Sequence, residues 1–185
     1  MRAFHNNPEI KDKYLARIVE HYFADEIMQG KYWENGRGCA VGCTIHSSAH
    51  DRYETELGIP TALARLQDKI FEGLPLEEAK RFPQEFLEAI PVGADLSNVA
   101  CQFLYYCVSS CREHADRQGQ DAIDTVLTLL ERQIQGDTPT QEEWNKAAES
   151  AAWSAAYAAY AAYSTTEAYQ EQRQVLLQLL RETGE

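Results

Sequence analysis

Trp33-Glu34-Asn35-Gly36-Arg37-Gly38-Cys39-Ala40-Val41-Gly42-Cys43-Thr44-Ile45-His46-Ser47-Ser48-Ala49-His50 gathers two thiols, two imidazoles and three closely spaced glycines. Its flanks carry helical spacing, so the way this stretch is read decides how the rest is arranged. Cys39, Cys43, His46 and His50 stand at i, i+4, i+7 and i+11, one stripe of a straight α-helix. Such a stripe spans roughly 16 Å, and a tetrahedral zinc with ligands at about 2.0–2.3 Å takes two of its members at most. The glycines support another geometry, in which Asn35-Gly36 is a turn, Gly38 lets the chain approach closely and Cys39 opens a helix. At that position unpaired amides and the helix dipole would favour a thiolate, with His46 or His50 as a base. The plainer alternative makes both cysteines small buried hydrophobes and both histidines ordinary polar-face residues.

On the N-terminal side, Asn7 and Pro8 form a cap and first-turn pair. Ile10, Tyr14, Ile18, Tyr22 and Phe23 then recur at helical spacing until Gly30. Glu20-His21 and Asp25-Glu26 read as a solvated face, because adjacent residues diverge and no Glu-x-x-His pair occurs. On the C-terminal side, Leu63, Leu66 and Ile70 mark a helix between Pro60 and Gly73. Phe82, Phe86, Leu87 and Ile90 mark one or two more, cut by Pro83 and Pro91. Val99, Phe103, Cys107 and Cys111 form the next apolar stripe, and Ile123, Val126, Leu127, Leu130 and Ile134 the one after it, closed by Gly136. Cys107-x3-Cys111-x2-His114 repeats the spacing of Cys39-x3-Cys43-x2-His46, so two facing helices could offer four thiolates to a zinc ion or an iron–sulfur cluster.

Thr140-x-x-Glu143 is a capping box that opens an Ala-dominated run from Ala147 to Ala162, with Trp144, Trp153, Tyr157, Tyr160 and Tyr163 interleaved. Ser164-Thr165-Thr166-Glu167 marks a bend, followed by a helix bearing Val175, Leu176, Leu179 and Leu180. The expected fold is all-α: a single irregular bundle of six to seven helices with a long Ala/Tyr-rich C-terminal helix. Residues 1–137 form the helical domain carrying the Cys/His segment, and residues 138–185 form the arm, packed on that same domain.

The 185 residues suffice for one domain with its own core. With 29 Asp and Glu against 17 Lys and Arg, the formal charge of −12 argues against a phosphate backbone as ligand and so against nucleic acid. An odd count of five cysteines and a polar N-terminus lead to the expectation of a soluble cytoplasmic chain with free thiols, outside the membrane.

The runs Tyr32-Trp33-Glu34-Asn35-Gly36, Gly38-Cys39-Ala40-Val41-Gly42-Cys43-Thr44-Ile45-His46, Tyr53-Glu54-Thr55-Glu56-Leu57-Gly58-Ile59-Pro60 and Ile70-Phe71-Glu72-Gly73-Leu74-Pro75 resemble a family of small bacterial and phage proteins with no established activity. The resemblance covers roughly residues 4–99 and extends to an Ala-rich helical tail. It implies that the first Cys/His cluster belongs to the family pattern and the second does not.

Phosphate loops, G-x-S-x-G elbows, HExxH and EF-hand loops are missing from the sequence. Three functions of different classes follow. The first is a Cys/His site binding a metal or cofactor, zinc or another transition metal, through Cys39, Cys43, His46 and His50. The second is a thiol enzyme, with Cys39 as nucleophile, His46 or His50 as base and the Gly38 and Cys39 amides as an oxyanion hole. The third is an acidic interaction protein, an inhibitor carried by a phage or mobile element, working through self-association or a protein partner on its Ala/Tyr helix.

Overall fold

The computed structural model describes residues 1–150 and 165–184. Its α-helices are α1 (Pro8–Phe23), α2 (Ala40–Ile45), α3 (Arg52–Leu57), α4 (Thr61–Gly73), α5 (Leu76–Ala89), α6 (Val99–Ser110), α7 (Arg117–Ile134), α8 (Gln141–Ser150) and α9 (Thr166–Glu182). Two short strands, β1 (Trp33–Glu34) and β2 (Arg37–Gly38), pair antiparallel. The chain is therefore mostly α. The expected six to seven helices become nine among the described residues, because α2 and α3 are separate short helices. No helix among the described residues is long and apolar enough to cross a membrane.

The described residues divide into two compact units, Met1–Ala100 with Tyr169–Glu185, and Cys101–Ala168. This division differs from the boundary read at residue 137. The physical reason lies in α9, whose Arg173 forks onto Glu85 of α5 at 2.8 and 2.6 Å and reaches Glu78 at 3.0 Å. Leu176, Leu177 and Leu180 of α9 are buried. These contacts tie the C-terminal helix to the N-terminal half of the chain.

In the first unit, the Asn7 side chain accepts from the Glu9 amide at 2.9 Å and Pro8 opens α1, as its sequence dictates. The helix stops at Phe23, short of Gly30, where Asp25 takes a left-handed conformation and the chain turns back. Helix α5 runs through Pro83 rather than ending there. Ala79, Phe82, Pro83 and Phe86 are all buried, and that packing overrides the backbone hydrogen bond lost at the proline. At the centre lies α2, every residue of which is buried, packed against α1, α4 and α5. A six-residue helix that is apolar on all sides is stable only inside a core, and this one carries Cys43.

Asn35 and Gly36 have φ of 52° and 82°, the pair of positive values that a two-residue type I′ hairpin turn requires. This hairpin lies against the start of α2. A Cβ on Gly38 would sit 2.1 Å from the Tyr32 carbonyl oxygen and one on Gly42 only 1.6 Å from it. The Cys39 amide donates to the Lys31 and Tyr32 carbonyls at 2.7 and 3.1 Å. Glycine at 38 and 42 is thus a condition for seating the hairpin on the helix.

The second unit has its own small core of Cys111 and Ile123, with Val108, Ala115 and Leu127 packed on it. Asp116 caps α7 by accepting from the Gly119 amide at 2.9 Å. The predicted box at α8 is formed: the Thr140 amide donates to Glu143 at 2.7 Å and the Glu143 amide to Thr140 Oγ1 at 3.3 Å. The expectations for Trp153, Tyr157, Tyr160 and Tyr163, including self-association or a partner seam, fall on residues outside the described ones.

Replacing Gly42 with Ala should displace the hairpin and lower the stability of the fold by more than the about 1–3 kcal/mol typical of overpacking, since the clash is with backbone. Urea unfolding of the purified variant measures this. A midpoint equal to that of the unsubstituted chain would contradict the seating described here.

Candidate functional site

The hairpin sends two adjacent aromatic rings to two different histidines. Tyr32 meets His50 edge-on, with ring centroids 5.6 Å apart, and Trp33 stacks on His46 at 4.6 Å and 12°. The Cys/His segment is thereby divided into two neighbourhoods instead of one stripe. Helix α2 ends at Ile45, and His46 caps it in the left-handed region at φ 50°, so His50 lies beyond the helix.

Cys39 caps α2 as the glycine-based reading expects, its sulfur accepting from the Gly42 amide at 3.5 Å. The expected acidification does not follow. Burial, and then the carboxylate of Asp68 beside it, push the Cys39 thiol far above its ordinary value, outweighing the amides of Gly42 and Val41. The residue is fully buried. The expected oxyanion hole is also filled: Gly38 N–H donates to Glu26 O at 3.1 Å, and Cys39 N–H is held by Lys31 and Tyr32. Cys43, likewise buried, donates to Gly38 O at 3.3 Å and Glu26 O at 3.7 Å, and burial pushes its thiol up to about 12.

His50 Nε2 lies 3.5 Å from Asp68 Oδ2 of α4. Asp68 is only 8% exposed, and its Oδ1 has no hydrogen-bond partner. It borders a cleft of about 180 Å³ together with Gly30, Lys31, Tyr32 and Glu72. A wider hollow that shares Tyr32, Asp68 and Glu72 with it is also lined by His50, Arg65 and Lys69. Glu72 accepts from the Gly30 amide at 2.9 and 3.1 Å, and burial raises its pKa.

On the other side of the hairpin, His46 Nε2 and His21 Nε2 are 2.8 Å apart, and His21 Nδ1 is 2.6 Å from Glu26 Oε2. His21 and Glu26, which the sequence placed on a solvated face, are thus the partners of the cluster, and His21 is buried. The sequence carried one usable signal, the repeated imidazole of α1 and the Cys/His segment, but nothing in its spacing joins positions 21 and 46. Partial burial, followed by the charges of Arg17, His21 and Arg52, lowers the His46 pKa against a weaker opposing pull from Glu26.

Of the two expected bases, His46 is paired with His21, away from Cys39, while His50 and Cys39 both have Asp68 as a neighbour. Among the described residues no group of three or more His, Cys, Asp and Glu side chains could hold a metal ion, and Cys39, Cys43, His46 and His50 are not assembled into one. Cys111 of the second run lies in an apolar cluster and donates to Cys107 O at 3.3 Å, while His114 is exposed beside Glu113. Comparison with protein-family models, with curated proteins and with solved structures returns no match.

Because His46 binds its proton less readily folded than unfolded, unfolding takes up protons in the window between the two values. Its contribution is complete above the unfolded value of about 6.5 and declines as pH falls through it. The stability of the native chain relative to a His46→Gln variant should therefore shrink on acidification, read as urea midpoints across that window. Parallel pH curves would contradict the assignment.

Proposed function

We propose that the chain is a small-ligand-binding protein whose recognition cleft is walled by Tyr32 and floored by Asp68. The cleft takes a compound carrying an ammonium group together with an anionic group. The observation that carries this reading is the buried Asp68 carboxylate, one oxygen of which lacks a partner beside an open cleft. A buried carboxylate with an unpartnered oxygen is costly, and a cationic group entering the cleft that Asp68 borders offsets its charge. Glu72 adds a second acceptor one turn along α4 and the exposed Tyr32 ring a face for a cation. Arg65 and Lys69, at the wider mouth, make no ion pair among the described residues and suit the anionic end.

This reading keeps the Cys/His segment as the wall of a ligand site and needs no metal or other cofactor. The thiol-enzyme reading asks Cys39 for a thiolate that its burial and Asp68 both oppose. Ligand-observed saturation-transfer NMR with free α-amino acids, their decarboxylated amines and their amino-blocked acids tests the proposal. Amino acids should bind best and blocked acids not at all, and Asp68→Asn should weaken binding by at least about tenfold, the loss of one charged hydrogen bond. Equal binding by the Asn variant, or no binding in any of the three sets, overturns it.

A further inference from the structure

The second histidine cluster lies outside this cleft and has chemistry of its own. The Glu26 carboxylate is an acceptor, so His21 presents its Nδ1–H to Oε2 at 2.6 Å. With His21 as the neutral ring its Nε2 carries a lone pair, and across the 2.8 Å contact His46 then supplies the proton from its own Nε2. That fixes the tautomer of His46 and leaves its Nδ1 as a lone pair. The ring is held in place by the Trp33 stack and by a left-handed backbone at the end of α2, while the residue itself is exposed. A chain of carboxylate, buried imidazole and exposed imidazole is the arrangement that activates a nucleophile by taking its proton, here with a nitrogen as the nucleophile.

The charges around the ring select the electrophile. Arg17 of α1 donates to Thr44 O at 2.7 Å, two residues before His46, and its guanidinium stands 5.0 Å from the Tyr14 ring. Arg52 of α3 pairs with Glu56, which also accepts from the Tyr14 hydroxyl. Against these stand Glu26, engaged by His21, and Glu56, engaged twice over. The Arg17 guanidinium held at Thr44 O, with the positive charge of Arg52 adding to it, disfavours a metal cation at His46 and favours an anionic group.

We infer that His46 is a phosphoryl-accepting histidine, with Nδ1 as the nucleophile, the Glu26–His21 pair as the proton acceptor, and Arg17 and Arg52 as the counter-charges. With a phosphoramidate donor, the Nδ1 lone pair forms the new N–P bond as the donor's P–N bond breaks. Ammonia leaves with that bond's electron pair. The Nε2 proton of His46 passes to Nε2 of His21, whose imidazolium stays paired with Glu26, and no atom changes oxidation state.

The full chain, incubated with phosphoramidate and mapped by peptide mass spectrometry under alkaline conditions, tests the inference. His46 should gain one phosphoryl group at least about tenfold faster than the exposed His114, as an activating base implies. Glu26→Gln should bring the His46 rate down towards that of His114 and leave His114 unchanged. Equal rates at His46 and His114 in the unsubstituted chain overturn the inference by themselves, even if the Gln variant fails to fold. An unchanged rate ratio in a folded Gln variant overturns the role of the pair. Neither result bears on ligand binding at Asp68.

Discussion

The contact on which the site depends is the approach of the Tyr32 carbonyl to the backbone of Gly38 and Gly42. A side chain at either glycine would have its Cβ far inside van der Waals distance of that oxygen. The approach lets the Cys39 amide donate to the Lys31 and Tyr32 carbonyls, doing for the start of α2 what a ligand would do at an open helix end. The Cys39 thiol keeps the Gly42 and Val41 amides, but burial and the Asp68 carboxylate outweigh them.

Seating the hairpin also divides the Cys/His segment. With Tyr32 on one side and Trp33 on the other, His50 is drawn to Asp68 and His46 to His21. Each imidazole acquires a carboxylate, directly from Asp68 or through His21 from Glu26. The two sites differ in what surrounds them: an acidic floor with basic residues at the mouth in one, an exposed ring near the Arg17 guanidinium in the other. Those differences favour a cationic head group in the first and a phosphoryl group in the second.

Much of this was legible from residues that act locally. Asn35-Gly36 demanded a turn with positive φ, Cys39 was placed at the start of a helix, and Thr140 with Glu143 announced a capping box; each depends on neighbours within a few positions. What escaped depends on distant contacts. His21 and His46 meet only because α1 packs on α2, and Asp68 reaches the cleft only because α4 packs there too. Pro83 was read as a helix end because the burial of Phe82 and Phe86 that carries α5 through it is a tertiary fact. The acidified thiol failed for the same reason: a dipole argument is local, whereas burial and Asp68 arrive from elsewhere in the chain.

The measurement that bears most directly on this account is nitrogen–nitrogen scalar coupling between imidazoles in the uniformly 15N-labelled protein. The account predicts a coupling across the His46 Nε2–H to His21 Nε2 hydrogen bond, with His46 Nδ1 at the shift of an unprotonated nitrogen, and no such coupling at His50. Spectra in which His46 and His50 both behave as freely exchanging mixtures of tautomers would contradict it, since the hairpin would then not be dividing the histidines into two sites.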